Sequence, residues 1–116
     1  MASITDLVAA LRRRDGVAAV VVLGRDGLLI DGQADELAAD DLAAHVPSIV
    51  SAADELGAAS RGGGLTTALL EFNGTLAIVS VLSTDALLLV LTNPGSHIGP
   101  LLFELRKHRE QIASLV

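Results

Sequence analysis

The sequence predicts an α/β (α+β) domain: one five-stranded antiparallel sheet in the order α-β-β-α-β-β-β-α, with two helices on one face and one on the other. Three observations lead to this. Five short apolar runs rich in Val, Ile and Leu lie between turn residues, as strands do. Three stretches carry apolar residues at helical spacing. Neighbouring strands are joined by compact turns such as Asn73-Gly74, a strong hairpin signal between apolar runs.

Ser3-Ile4-Thr5-Asp6 reads as a helix start, with Ser3 as cap and Asp6 three residues on. Ile4, Leu7, Val8 and Leu11 then follow on one face. Arg12, Arg13 and Arg14 place cations in the last turn, opposing the negative end of the helix dipole, and Gly16 closes it. Residues 17–23 are continuously apolar and β-branched, as in a strand covered on both faces. Gly24-Arg25-Asp26-Gly27 turns the chain, and Leu28-Leu29-Ile30 returns as the second arm of a hairpin ended by Asp31-Gly32.

The main helical region is 35–61, with a stripe of Leu42, Val46, Ile49, Ala53 and Leu56 and a flank crowded with Ala and Ser. Pro47 interrupts it. An interior proline costs about 3 kcal/mol and disfavours helical geometry at the preceding residue, so a kink or a restart is expected there. Gly62-Gly63-Gly64 stops the helix. Three strand-like runs follow, at 65–72, 75–82 and 86–92. In the first, Thr66, Ala68, Leu70 and Phe72 face one way, and Thr67, Leu69 and Glu71 the other. That strand is less apolar than its neighbours, as an edge strand would be. Beyond the loop Asn93-Pro94-Gly95-Ser96, a last helix carries Leu101, Leu105, Ile112 and Leu115 on one face, with a half-buried His108 at the same angle.

At 116 residues the chain has room for one domain, 1–116, with a real core. Aromatic residues make up 2%, so the core is Leu, Val, Ile and Ala packing. Without cysteine there is no disulfide framework, thiolate metal site or cysteine nucleophile. The N-terminal residues have no positive leader, and the apolar stretch 76–91 is broken by Ser80 and Ser83-Thr84-Asp85, well short of the roughly 20 residues that span a bilayer. No membrane insertion and a cytoplasmic location are expected. A net charge of −6 argues against a nucleic-acid partner.

Candidate chemistry is sparse. Arg61-Gly62-Gly63-Gly64-Leu65-Thr66-Thr67 superficially suggests a phosphate loop, but it follows a helix, precedes a strand and lacks the lysine. His45, His97 and His108 have no ligand spacing, and the acidic pairs Asp40-Asp41 and Asp54-Glu55 fit a helix start and an exposed face. No nucleophile elbow occurs. No catalytic residue, metal site or cofactor is expected. What remains is geometric. One middle helix must cover a whole face of the sheet, which leaves apolar area over. A second copy, pairing strand to strand and helix to helix, would cover it.

The element order resembles the Roadblock/dynein light chain family. So do Asp15-Gly16-Val17 leading into Arg25-Asp26-Gly27-Leu28-Leu29, the runs Leu76-Ala77-Ile78-Val79 and Leu87-Leu88-Leu89-Val90-Leu91, and Asn93-Pro94-Gly95-Ser96-His97-Ile98-Gly99 before the last helix. Its bacterial MglB-type members look closest. The resemblance implies a homodimer with paired middle helices and third strands. Its contacts would fall on Leu42, Val46, Ile49, Val50, Ala53, Leu56, Ala68, Leu70 and Phe72. It also implies a Ras-like small GTPase partner (MglA-like, of cell polarity), whose hydrolysis such dimers accelerate without donating an arginine finger. The alternative expectation is a non-catalytic dimerisation subunit that recruits a motor or signalling complex.

Overall fold

The computed structural model describes residues 3–116; Met1 and Ala2, part of the stretch read above for a leader, lie outside the described residues. The elements are α1 (Ile4–Arg12), β1 (Val17–Gly24), β2 (Leu29–Gln33), α2 (Ala39–Ala59), β3 (Thr67–Glu71), β4 (Leu76–Val81), β5 (Ala86–Thr92), α3 (Gly99–Lys107) and α4 (Arg109–Ala113). The strands form one antiparallel sheet in the order β2-β1-β5-β4-β3.

At the start of α1, the Ser3 hydroxyl accepts the Asp6 N–H and the Asp6 carboxylate accepts the Ser3 N–H, both at 3.2 Å. This reciprocal box satisfies two of the donors a helix start leaves free. The apolar face of α1 then packs Val8 and Leu11 on the sheet, beside Leu101 and Leu105 of α3 and Ile112 of α4. Beneath them lie Val20, Val22, Ile78, Leu88 and Val90. On the opposite face, Val21, Leu23, Ala77, Val79, Leu87 and Leu89 lie under Ala43, Val46 and Val50 of α2. The expected division of helices between the faces holds, with α1 and the last helical region on one side and α2 alone on the other, although that last region is two short helices, and β1, β4 and β5 are the central, buried strands. A fully buried Val or Leu contributes roughly 1.5–3 kcal/mol, so stability is spread over many small aliphatic contacts.

Several local expectations change. The last helix is two, parted at His108, whose φ of −107° and ψ of 17° leave helical geometry. His108 is exposed, not half-buried: the polar ring stands at the rim of a groove while Leu105 and Ile112 reach the core without it. The middle helix begins at Ala39 and not near Asp35, which sits at φ 52° in a turn and pairs with Arg12. Arg12 also donates to the Val17 carbonyl at 2.8 Å, so the first arginine of the run ties α1 to β1 and to the turn before α2. Arg14 bonds Glu104 at 2.6 Å. The helix passes through Pro47 without restarting. Strand β2 runs on to Gln33.

The end of α2 is tighter than the glycine run suggests. The left-handed residue after the cap is Arg61, at φ 61°, and the Gly62 N–H returns to the Gly57 carbonyl at 2.8 Å. This folds the loop back over Gly57, where a Cβ would run into the carbonyl oxygen of Gly63. Gly57→Ala is expected to lower stability by about 1–3 kcal/mol, read as a drop of several degrees in the thermal midpoint. Gly74→Ala, with open space around its position, should change it by less than half as much.

Candidate protein-interaction surface

An open sheet has two edges, and the two here differ. Strand β2 carries a bulge: Val22 pairs with Asp31 and Leu23 with Leu29, leaving Ile30 without a partner. Asp31 sits in mid-strand and its carboxylate accepts the Gly32 N–H at 2.9 Å. A bulge and a mid-strand charge are the usual devices that stop an edge from pairing with another chain. Strand β3 has neither. Its five residues pair with β4 in unbroken register from Thr67–Ser80 to Glu71–Leu76, and its outer side is open. Leu69, at its centre, is 47% exposed.

The cover provided by α2 thins toward the margins of its face. Leu65, Ala68, Leu70, Val81 and Leu91 are only partly buried, and Phe72, at the turn after β3, is 58% exposed. Helix α2 meets the β1–β2 turn with Ala44 and Pro47, which lie against Gly27. Its other flank presents Leu42, Ile49 and Leu56, spaced seven apart, with Ala53 between. Exposure along that flank reaches 70% at Leu56. The residues expected at a dimer contact therefore separate into two groups. Val46 and Val50, 2% and 1% exposed, are spent on the protomer's own sheet. Leu42, Ile49, Ala53, Leu56, Ala68, Leu70 and Phe72 keep apolar surface that no part of the described chain covers fully.

Two side chains hold the lead-in to β3, one from each face of the sheet. Asp54 of α2 accepts the Leu65 N–H at 2.8 Å and a bond from Arg25 at 3.3 Å. From the opposite face, Arg109 of α4 donates to the Thr67 hydroxyl at 2.8 Å and the Thr66 carbonyl at 3.3 Å. The Leu65 N–H holds the Asp54 carboxyl below its ordinary value of 3.8, with Arg25 adding to the effect against a smaller cost of desolvation. By sequence pattern Asp54 belongs to an exposed helix face and Arg109 has no role. Only proximity in the fold shows that Asp54 meets a residue eleven positions away and Arg109 one forty-two away.

Two concavities lie elsewhere on the described surface. A cleft of about 450 Å³ gathers Asp15, Ser96 and His97, but the Ser96 hydroxyl donates to the Asn93 carbonyl at 2.7 Å, and no hydrogen bond joins the three side chains. The groove between α1 and α3–α4, about 550 Å³, is lined mainly by Leu7, Leu11, Leu105, Ile112 and Leu115. Among the described residues no three His, Asp or Glu side chains are grouped to hold a metal ion, and no helix is long and apolar enough to cross a membrane.

A family model described as the Roadblock/LC7 domain matches residues 4–92. The fold is similar to a Roadblock/LC7 domain from Streptomyces avermitilis, with a TM-score of 0.84, 23% identity and 97% of each chain covered. It is also similar to Myxococcus xanthus MglB, with a TM-score of 0.85 and 17% identity over 97% of this chain and 90% of that one. The gliding protein mglB of Thermus thermophilus aligns with a TM-score of 0.83 and 15% identity over 97% and 87%. No curated protein matches the sequence significantly.

The Asp54 bond makes stability depend on pH in a stated direction. Its carboxyl is more acidic folded than unfolded, so its contribution is full above pH 3.8 and is lost as the pH falls through the lower folded value. In thermal melts, wild type should therefore outlast Asp54→Asn at neutral pH, and the gap should close below 3.8. A gap that persists unchanged at pH 2 would assign the difference to something other than this carboxylate.

Proposed function

The chain belongs to the Roadblock/LC7 family, and on that footing we propose that it works as a homodimer that binds and regulates a small Ras-like GTPase. One observation carries the dimer: the unblunted edge of β3 lies beside apolar surface of α2 that its own chain leaves uncovered. A two-fold copy set edge to edge at β3 extends the sheet and brings the Leu42, Ile49 and Leu56 flanks of two α2 helices together. Large contiguous apolar patches are uncommon on stable monomers, which supports the same arrangement.

The GTPase reading rests on the family and on the likeness to MglB, since the resemblance to MglB-type members implies a Ras-like GTPase partner. In this reading the chain supplies no catalytic group of its own. A paired sheet with two helices on its surface acts by binding, and it changes hydrolysis only through the conformation of the GTPase's own loops. Its occupant is an MglA-like GTPase in the GTP state.

Sedimentation velocity at micromolar concentration should show a two-fold particle. Leu56→Glu and Ile49→Glu should each weaken the dimer roughly thirtyfold or more, the cost of about 2 kcal/mol for placing a charge in an apolar seam. Immobilised wild-type protein should capture a GTP-loaded Ras-like GTPase in preference to its GDP form, and multi-turnover assays should then show whether hydrolysis speeds up. A wild-type monomer would remove the dimer. A dimer that captures no GTPase of its own cell would turn the assignment to a subunit that recruits a motor or signalling complex.

A further inference from the structure

The open edge of β3 also sets how two copies meet. In an antiparallel ladder, alternate residues turn their N–H and C=O toward one neighbour and then the other. The Phe72 N–H bonds the Thr75 carbonyl and the Val81 N–H bonds the Thr66 carbonyl, at 2.8 and 2.9 Å, so even-numbered positions of β3 face β4. Thr67, Leu69 and Glu71 therefore direct their backbone groups outward. A two-fold axis perpendicular to the sheet pairs residues whose numbers add to a constant. Centred on Leu69, it pairs Leu69 with its copy and Thr67 with Glu71 in both directions, so all three outward residues are bonded. Centred on Ala68 or Leu70, it leaves one of the three opposite a residue outside the strand.

That register has an electrostatic consequence. Thr67, Leu69 and Glu71 lie on the sheet face against which α1, α3 and α4 pack, and the Arg109 guanidinium already rests on the Thr67 hydroxyl at 2.8 Å. Directly paired side chains have Cβ atoms about 5 Å apart, so a glutamate opposite Thr67 reaches that guanidinium. Within the described chain, Arg109 has no carboxylate partner and its Nε is buried without a hydrogen bond, while Glu71 is exposed with no cation beside it. We propose that β3 pairs with its copy in the register centred on Leu69, and that Arg109 of each subunit forms an ion pair with Glu71 of the other. This rests on the dimer proposed above and adds its register and the charges that select it. Arg109 holds its own edge strand in place and receives the partner's glutamate at the same point, so α4 becomes part of the seam.

The chain has no cysteine, so introduced thiols report register cleanly. In the proposed register position 68 lies opposite position 70 of the copy, and like positions are too far apart to bridge, since a disulfide needs Cα atoms within about 7 Å. Under oxidation, co-expressed Ala68→Cys and Leu70→Cys chains should form a covalent dimer, and either alone should not. Covalent dimers from either variant alone would overturn the register. No covalent dimer from the pair, in a protein that sediments as a dimer, would move the seam away from β3. A wild-type monomer would instead overturn the dimer on which the proposal rests. For the ion pair, Glu71→Arg should weaken self-association on the order of tenfold by placing like charges together at two points. Mixing Glu71→Arg with Arg109→Glu chains should recover a heterodimer with at least part of the lost affinity. An unchanged affinity in Glu71→Arg, or no gain on mixing, would remove the ion pair.

Discussion

A sheet that does not close into a barrel must deal with two rows of unpaired backbone groups, and this molecule is organised by how it treats them. Strand β2 is bulged at Ile30 and marked by Asp31 at its centre, which blunts it as a template for pairing. Strand β3 keeps a regular ladder and an open outer side. Its beginning is also held by two side chains, Asp54 from one face and Arg109 from the other. An edge meant to stay solvated gains little from being held straight. In the proposed pairing, an edge that presents three backbone positions in register gains a great deal, because its ordering entropy is spent before the second copy arrives.

The core explains why the edge matters so much. With only two aromatic residues in the chain, both exposed, the interior depends on small aliphatic side chains packed on each side of β1, β5 and β4. Such side chains fill the centre of each face, where Val20, Val22, Val79 and Leu87 are fully buried. They do not reach far sideways. On the α2 face one helix has to cover five strands, and it comes closest to β2 and β1, at the end of the sheet away from β3. The unfinished margin falls beside β3. Backbone pairing and apolar burial thus point at the same place, which is what a two-fold contact needs.

The sequence by itself determined the elements and their order. Alternation, turn residues and a capping box are local signals, and each local choice agreed with the others, so the hairpins, the edge character of residues 65–72 and the two-faced burial could all be read directly. The family could be read as well, because its features are hydrophobic patterns carried along the chain. The split at His108, the start of α2 at Ala39 and the left-handed Arg61 could not. Each depends on where a neighbouring element allows the backbone to go.

Tertiary structure alone decided which residues share a role. Val46 and Leu56 belong to one periodic stripe in sequence, yet one is buried against the sheet and the other is open to solvent, because a helix lying across a sheet buries a narrower arc than its apolar pattern covers. Asp54 looked like half of a solvated acidic pair, and only the returning loop brings the Leu65 N–H to it. Arg109 and Thr67 are forty-two residues apart, and no spacing rule connects them. Periodicity shows that a side chain turns inward; the neighbours it meets there depend on chain segments folding back from far away in sequence.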